Sequence, residues 1–263
     1  MNNKFFNNKV AIITGAASGM GKKVATRLAE CGTKVGLFDL DSFKLEKTKQ
    51  QIEKQGGEAI IAMCDIANEK EVEKSFNKIF DQWGQLDIVF ANAGIAGSLS
   101  PIETMNISDW DKTLQTNLTG TFLTTKFAIP YLKNNGGNII ITSSVSGNRT
   151  FSQAGFSAYS TSKSSQVAFV KMAALELSRY NIRVNAICPG GIKTNIGESI
   201  HKSDELKEVE VPIQFPEGSQ PLEHGPGNTK QIADLIQFLA SDEASHITGT
   251  EIYIDGAESL LRG

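Results

Sequence analysis

The chain has 263 residues, 40% hydrophobic and 21% charged, with 26 Lys and Arg against 29 Asp and Glu and a formal net charge of −3. That length suits one large α/β domain or two small ones; a single domain of this size buries roughly 70–75% of its unfolded surface and needs neither disulfides nor a structural metal. The ordinary composition excludes a disordered chain, and no run of Lys or Arg supplies the clustered basic footprint of a nucleic-acid surface.

The elements alternate from the start. MNNKFFNNK is polar, lacks the apolar centre of a signal peptide and leads straight into a strand over 9–14. A Gly-rich turn follows, then a helix over 20–31, a strand over 34–39, a helix over 42–55, a strand over 58–63, a helix over 69–83 and a strand over 86–91. One long helix is predicted over 108–133, with Pro130 near its end. The chain continues with a strand over 138–142, a helix over 157–179, a strand over 182–187, a helix over 229–240 and a strand over 250–254. The strands are apolar on nearly every residue, so both faces are buried, and the helices between them supply crossovers. Both facts predict a doubly wound, mostly parallel seven-stranded α/β sheet. The unbroken rhythm has no linker, so residues 1–263 read as a single domain. Residues 193–228, rich in Gly, Pro and charge, stand outside it; a connection that long is expected to be a functional lid. Asp204, Glu205, Glu208 and Glu210 read as a solvated helix face.

Cys31, Cys64 and Cys188 are odd in number and widely spaced, as expected for reduced thiols in a cytoplasmic protein. His201, His224 and His246 form no metal-binding pattern, so no metal is expected. No apolar run reaches the ~18 residues of a membrane span, and no membrane association is expected.

The first strand ends in Thr14-Gly15-Ala16-Ala17-Ser18-Gly19-Met20-Gly21. Glycines between a strand and a helix leave backbone N–H groups and the positive helix end facing an anion, as a dinucleotide pyrophosphate requires. Three glycines alone could be a plain tight turn; the βαβ context favours the phosphate cradle. Asp39 ends the second strand, where a carboxylate can accept hydrogen bonds from ribose hydroxyls and repels a 2′-phosphate, so NAD is expected rather than NADP. Its other reading is a cap for the next helix, a place that Asp41 or Ser42 can take. Tyr159 and Lys163 lie four residues apart on one helix face. A nearby cation favours the phenolate of a group whose ordinary pKa is about 10, so the pair can act as acid and base near neutral pH; alone, the spacing could equally be a solvated helix start.

The sequence here resembles the short-chain dehydrogenase/reductase family over nearly its whole length. The resemblance rests on TGAASGMG at 14–21, Asn92-Ala93-Gly94, the ordered set Asn117, Ser144, Tyr159 and Lys163, and Pro189-Gly190 with Thr194. It implies a Rossmann-type fold and a homotetramer or homodimer packed through the helices near 108–133 and 157–179, with Ala158, Ser162 and Ser165 allowing close approach. It implies that Tyr159 exchanges a proton with the substrate oxygen, that Lys163 lowers the tyrosine pKa and holds the nicotinamide ribose, that Ser144 hydrogen-bonds the substrate oxygen and that Asn117 places a water. Gly15, Ser18, Gly19, Met20 and Gly21, Asp39 and Leu40, Asp65 and Ile66, Asn92, Ala93 and Gly94, Pro189 and Gly190, and Ile192 with Thr194 would line the cofactor together with Tyr159 and Lys163. Ser143 or Ser146 could replace Ser144 as the reactive neighbour, Asn117 could be a helix-interior hydrogen bonder, and Asp65 could be only a helix cap. The chain departs from the family pattern in a slightly longer loop from Ser144 to Tyr159, in the long segment 193–228, and in Ala257, where a second glycine is frequent after Gly256.

The expected activity is hydride transfer between NAD and a secondary alcohol or ketone. Phe151, Phe156, Ile196, Ile200, Val211, Ile213 and Phe215 could wall a pocket for a hydrophobic small molecule, or simply pack loops on the core. A sugar or polyol substrate, a 3-oxoacyl-thioester reductase using NADPH, and a dinucleotide-binding sensor without turnover are the alternatives.

Overall fold

The computed structural model describes residues 5–151, 153–194, 196–211 and 218–261. Nine strands are present among them: β1 Val10–Thr14, β2 Lys34–Asp39, β3 Ala59–Met63, β4 Ile88–Ala91, β5 Gly97–Leu99, β6 Gly137–Thr142, β7 Ile182–Pro189, β8 Ile200–Lys202 and β9 Glu251–Ile254. Seven form one parallel sheet in the order β3-β2-β1-β4-β6-β7-β9, as the apolar runs predict. The α-helices are α1 Gly19–Glu30, α2 Ser42–Lys54, α3 Glu69–Trp83, α4 Ile107–Leu114, α5 Gly120–Leu132, α6 Ser157–Leu177 and α7 Thr229–Ala240.

Alternate residues of each strand face opposite layers. Ala11 and Ile13 pack with Val24 and Leu28 of α1, Leu45 and Ile52 of α2, and Ile232 and Ile236 of α7. Val10 and Ile12 pack with Val72 and Phe76 of α3, Leu123 and Leu132 of α5, and Val170 and Leu177 of α6. Each such side chain gains roughly 1.5–3 kcal/mol from burial, so the sheet is a three-layer sandwich held from both sides. Polar caps fix where helices begin: Asp41 accepts from Lys44 N–H at α2, and Asn228 with Gln231 forms a capping box at α7. The capping box at α7 contributes about 1 kcal/mol.

Two features depart from the predicted elements. The long helix over 108–133 is interrupted: Gln115–Thr119 is π-helical, and Gly120 N–H donates to Gln115 O. The inserted residue lets the helical run continue while Asn117 turns inward. A second, two-stranded parallel sheet pairs β5 with β8, joining the loop after β4 to the segment after β7. Asp204–Glu208 is a short 3-10 turn whose acidic side chains are exposed, while Leu206 is buried. No helix among the described residues is long and apolar enough to cross a membrane.

Ala257 sits at φ 68° and ψ 14°, in the left-handed region. A Cβ there costs roughly 1–2 kcal/mol, offset by the roughly 0.4–1 kcal/mol that alanine saves in unfolded-chain entropy. Ala257→Gly is therefore expected to stabilise the chain by ~0.5–1 kcal/mol, which urea denaturation reads as a higher midpoint at unchanged slope.

Candidate active site

Strand order places the site. The chain runs outward from β1 to β2 and β3, then returns to add β4 on the other side of β1, so a crevice opens where the carboxyl ends of β1 and β4 meet. Thr14 closes its floor: its Oγ1 accepts from Asn92 N at 2.9 Å and Ala93 N at 3.0 Å, and Asn92 Nδ2 donates to Thr14 O at 3.1 Å. Asn92 Oδ1 in turn accepts from Thr142 Oγ1 on β6.

The Gly-rich turn fits a phosphate group. A Cβ on Gly21 would lie 2.1 Å from Gly15 O, so only glycine lets α1 start this close to β1. Gly15 and Gly19 have φ of 69° and 54°. Ser18 begins α1 without a side-chain capping bond, and the first turn carries no acidic residue; its N–H groups are left to an anion. Thr194 overhangs the turn, its Cβ 3.5 Å from where a Gly19 Cβ would stand. Met20 packs on the core beneath.

Asp39 is no helix cap. Its two oxygens accept from Ala17 N at 3.0 Å and Asp41 N at 3.1 Å, which ties the end of β2 to the Gly-rich turn, while Asp41 caps α2. Leu40 beside it is 65% exposed. Asp65 is likewise not the cap of α3: it accepts from Ala67 N in a local turn, and Asn68 caps the helix. Ile66 is buried against the position of Gly120.

The four candidate chemical residues converge. Asn117 is fully buried: Oδ1 accepts from Ile95 N at 2.9 Å, and Nδ2 donates to Ile95 O at 2.9 Å and Ser162 Oγ at 3.0 Å. Lys163 is 3% exposed, donates Nζ to Thr142 O at 2.8 Å and lies 5.6 Å from the Tyr159 ring centroid. A Cβ on Gly94 would stand 2.9 Å from Asn117 Oδ1 and 3.6 Å from Lys163 Nζ, so Gly94 brings the β4 loop against both. Tyr159 is half-buried, and its phenol lies within electrostatic reach of the Ser144 hydroxyl. Ser143 is turned away, donating Oγ to Lys163 O at 2.7 Å, and Ser146 meets Ser144 Oγ only through its backbone N–H. With Ser143 engaged elsewhere, Ser144 is the serine whose hydroxyl acts on the phenol.

Burial pushes the Tyr159 phenol up, and the bond with Ser144 pulls it back; burial brings the Lys163 ammonium down to about 8. The resemblance implies a phenol lowered by Lys163. In the fold without cofactor, burial and Ser144 set the phenol, and Lys163 Nζ, bonded to the Thr142 carbonyl, stays 5.6 Å from the ring centroid.

Other expectations fare unevenly. Pro189 is buried at the end of β7, and Ile192 bridges to Gly227. Phe156 packs on Tyr159, with centroids 5.2 Å apart, and Ile200 is half-buried in β8. Phe151 and Val211 are 69% and 68% exposed and Ile196 is 42% exposed, so they do not form a closed wall; Ile213 and Phe215 lie outside the described residues. Ala158 and Ser162 are buried inside their own chain, so of the three small residues only Ser165 is open to a partner. The sequence gives no sign of the polar roles of Ser162, which accepts from Asn117 Nδ2, and of Gln166, whose Nε2 donates to Asn117 O at 2.8 Å; Ser162 reads there only as a small residue for partner contact, Gln166 belongs to no motif, and the π-helical turn that brings Asn117 to both has no sequence signal. The three cysteines are buried thiols, and no cluster of metal-binding side chains exists among the described residues. A surface cavity of about 390 Å³ lies at the opposite end of the sheet, where Lys9 pairs with Asp87 and Arg183 donates to three carbonyls.

Residues 15–257 match a family described as enoyl-(acyl carrier protein) reductase, of the adh_short_C2 type. An uncharacterized oxidoreductase of Bacillus subtilis is 36% identical, over 95% of this chain and 90% of its own. Cyclohexanol dehydrogenase of an Acinetobacter species is 33% identical, over 98% and 97%. The crystal structure of a 3-ketoacyl-ACP reductase from Sinorhizobium meliloti superposes with a TM-score of 0.92 at 42% identity, over 96% of this chain and 100% of that one.

Lys163 titrates at about 8 in the fold against an ordinary 10.5, so between these values the unfolded chain holds more protons and this group makes stability rise with pH. Relative to Lys163→Met, the wild-type chain is expected to gain stability from about pH 8 to about pH 10. Parallel urea titrations of both proteins measure it, the shared tyrosines cancelling; a constant difference across that window would show that Lys163 is not neutralised by burial.

Proposed function

The chain belongs to the short-chain dehydrogenase/reductase family, and on that premise we propose that it catalyses reversible hydride transfer between NAD and a secondary alcohol or ketone. The observation that carries this reading is the convergence of Tyr159, half-buried, with the Ser144 hydroxyl acting on its phenol and the Nζ of the buried Lys163 5.6 Å from its ring centroid, beside the Gly94 loop. A bound nicotinamide dinucleotide would supply the hydride in reduction and accept it in oxidation. The chain's own residues bind, orient and move a proton. Ser144 Oγ and the Tyr159 hydroxyl hold the substrate oxygen; Tyr159 gives it a proton during reduction and takes one during oxidation. Lys163 holds the nicotinamide ribose, Asn117 fixes the Ile95 loop and the water that replenishes the proton, and Ile192 and Thr194 meet the carboxamide. Gly15, Ser18, Gly19, Met20 and Gly21 cradle the phosphates, Asn92, Ala93 and Gly94 line the middle of the cofactor, and Asp65 and Ile66 flank the adenine.

NAD is favoured by Asp39. Its carboxylate is locked by two backbone N–H groups where the adenosine ribose would lie, and a fixed negative charge there repels a 2′-phosphate. The similarity to a cyclohexanol dehydrogenase and the half-buried Phe156 beside Tyr159 support a cyclic, hydrophobic substrate, with residues 193–228 as its lid. A second reading, reduction of a 3-oxoacyl thioester with NADPH, draws on the similarity to the Sinorhizobium meliloti reductase. Exposed Phe122, Met172 and Leu175 on α5 and α6 support assembly into a homotetramer or homodimer, and the reduced cysteines support a cytoplasmic setting.

Tyr159→Phe is expected to lower kcat by at least the 10²–10⁴-fold typical of a lost acid–base group, with NADH affinity unchanged; unchanged turnover would refute the role of Tyr159. Fluorescence titration of the wild-type chain is expected to show NADH bound at least about tenfold more tightly than NADPH. Equal or tighter NADPH binding would overturn the Asp39 argument and favour thioester reduction.

A further inference from the structure

Beyond β7 the backbone leaves the sheet and passes over the Gly-rich turn, and its path is set by one residue. Gly191 N–H donates to Glu258 Oε2 at 2.7 Å, and Gly191 O accepts from Gln220 Nε2 at 2.6 Å and from Gly227 N at 2.9 Å. Gln220 Nε2 also donates to Glu258 Oε2 at 3.0 Å, which couples the two side chains. Both groups of a single peptide-forming residue are thus held by a carboxylate from the C-terminal turn and an amide from the far limb of the 193–228 segment. Gln220 is 2% exposed, while Gly191 itself is exposed: a buried amide reaches outward to hold a surface backbone.

The fit is close. A Cβ on Gly190 would stand 2.5 Å from Glu258 Oε2 and 2.8 Å from Asp255 Cβ, and Gly256, at φ 56°, brings its backbone against Gln220. The Asp255 carboxylate accepts from Ala257 N and Ser259 N, which fixes the turn that presents Glu258. One residue beyond Gly191, Ile192 pairs with Gly227, and Thr194 reaches Gly19. Among the described residues, no hydrogen bond joins Gly191, Gln220 or Glu258 to Asp39, Leu40 or Asp65; Asp39 bonds to Ala17 and Asp41, and Asp65 to Glu71 and Ala67.

We propose that Glu258 and Gln220 are positioning residues: together they latch Gly191 and so set where Ile192 and Thr194 stand over the nicotinamide half of the cofactor. The proposal rests on the reading that residues 189–194 hold the carboxamide. Its signature is selectivity. Loosening the latch weakens binding of the nicotinamide half and leaves the adenosine half untouched.

The test is calorimetric titration of the full chain with NADH and, separately, with ADP-ribose, which lacks the nicotinamide. Glu258→Ala and Gln220→Ala are expected to weaken NADH about tenfold and to leave ADP-ribose within about twofold. Glu258→Gln, whose amide oxygen can still accept from Gly191 N–H, is expected to restore most of the NADH affinity. In turnover, KM for NAD should rise more than kcat falls. Should Glu258→Ala not fold, the neutral Gln220→Ala variant carries the same comparison. Parallel weakening of both ligands, or no change in either, overturns the latch. A wild-type chain that binds neither ligand refutes the cofactor reading first, and the latch with it.

Discussion

The Thr14 hydroxyl is the joint on which the site depends. It ends β1 and accepts from two consecutive N–H groups at the end of β4, where the sheet changes direction. The strands on either side are pinned by hydrophobic burial, which is strong but has no direction of its own. At the carboxyl edge, where loops diverge, geometry must come from directional bonds. Thr14 supplies them between β1 and β4; Asn92 carries them to Thr142 on β6; Thr142 O receives Lys163 Nζ from α6. The Gly-rich turn, the Asn92-Ala93-Gly94 loop and the tyrosine–lysine pair are thus one connected polar frame set on an apolar base.

The same frame explains the polar residues buried inside the helices. Asn117 and Gln166 stand at positions that a regular helix would give to apolar side chains. Buried polar atoms are costly unless bonded, and the π-helical turn meets that demand for Asn117, which holds both backbone groups of Ile95, and for Gln166 Nε2, which donates to Asn117 O and to Thr121 Oγ1; Gln166 Oε1 is left without a partner among the described residues.

Much of this was legible in the sequence. Apolar runs gave the seven strands and their parallel arrangement, because burial on both faces leaves a signature in every residue. The Gly-rich turn was legible because Gly21 meets a steric demand no other residue satisfies, and Asp39 because its place at a strand end is local. The interruption at Gln115–Thr119 was not, since a π-helical turn keeps the helix running and barely changes the periodic pattern. Nor were β5 and β8: three residues each, paired across about a hundred positions, they have no local signal. Gln220 and Glu258 lay in unpatterned stretches, and their meeting at Gly191 is purely tertiary. The apolar wall was over-read, because hydrophobicity alone does not say which way Phe151 or Val211 points.

The small sheet between β5 and β8 has an evolutionary consequence. It is extended by Ala96 N–H to Ser199 Oγ and by Ser203 N–H to Leu99 O, so the two rims of the crevice share a backbone seam. Substituting side chains along either rim, Ser199 excepted, leaves that seam intact, because ladder bonds are blind to side-chain identity. Inserting or deleting a residue before Ile200 does not, since a slip of one position turns every side chain of β8 to the other face. New specificities on this scaffold are therefore reached most readily by point changes, or by lengthening the stretch after Ser203, beyond the last bond of the seam.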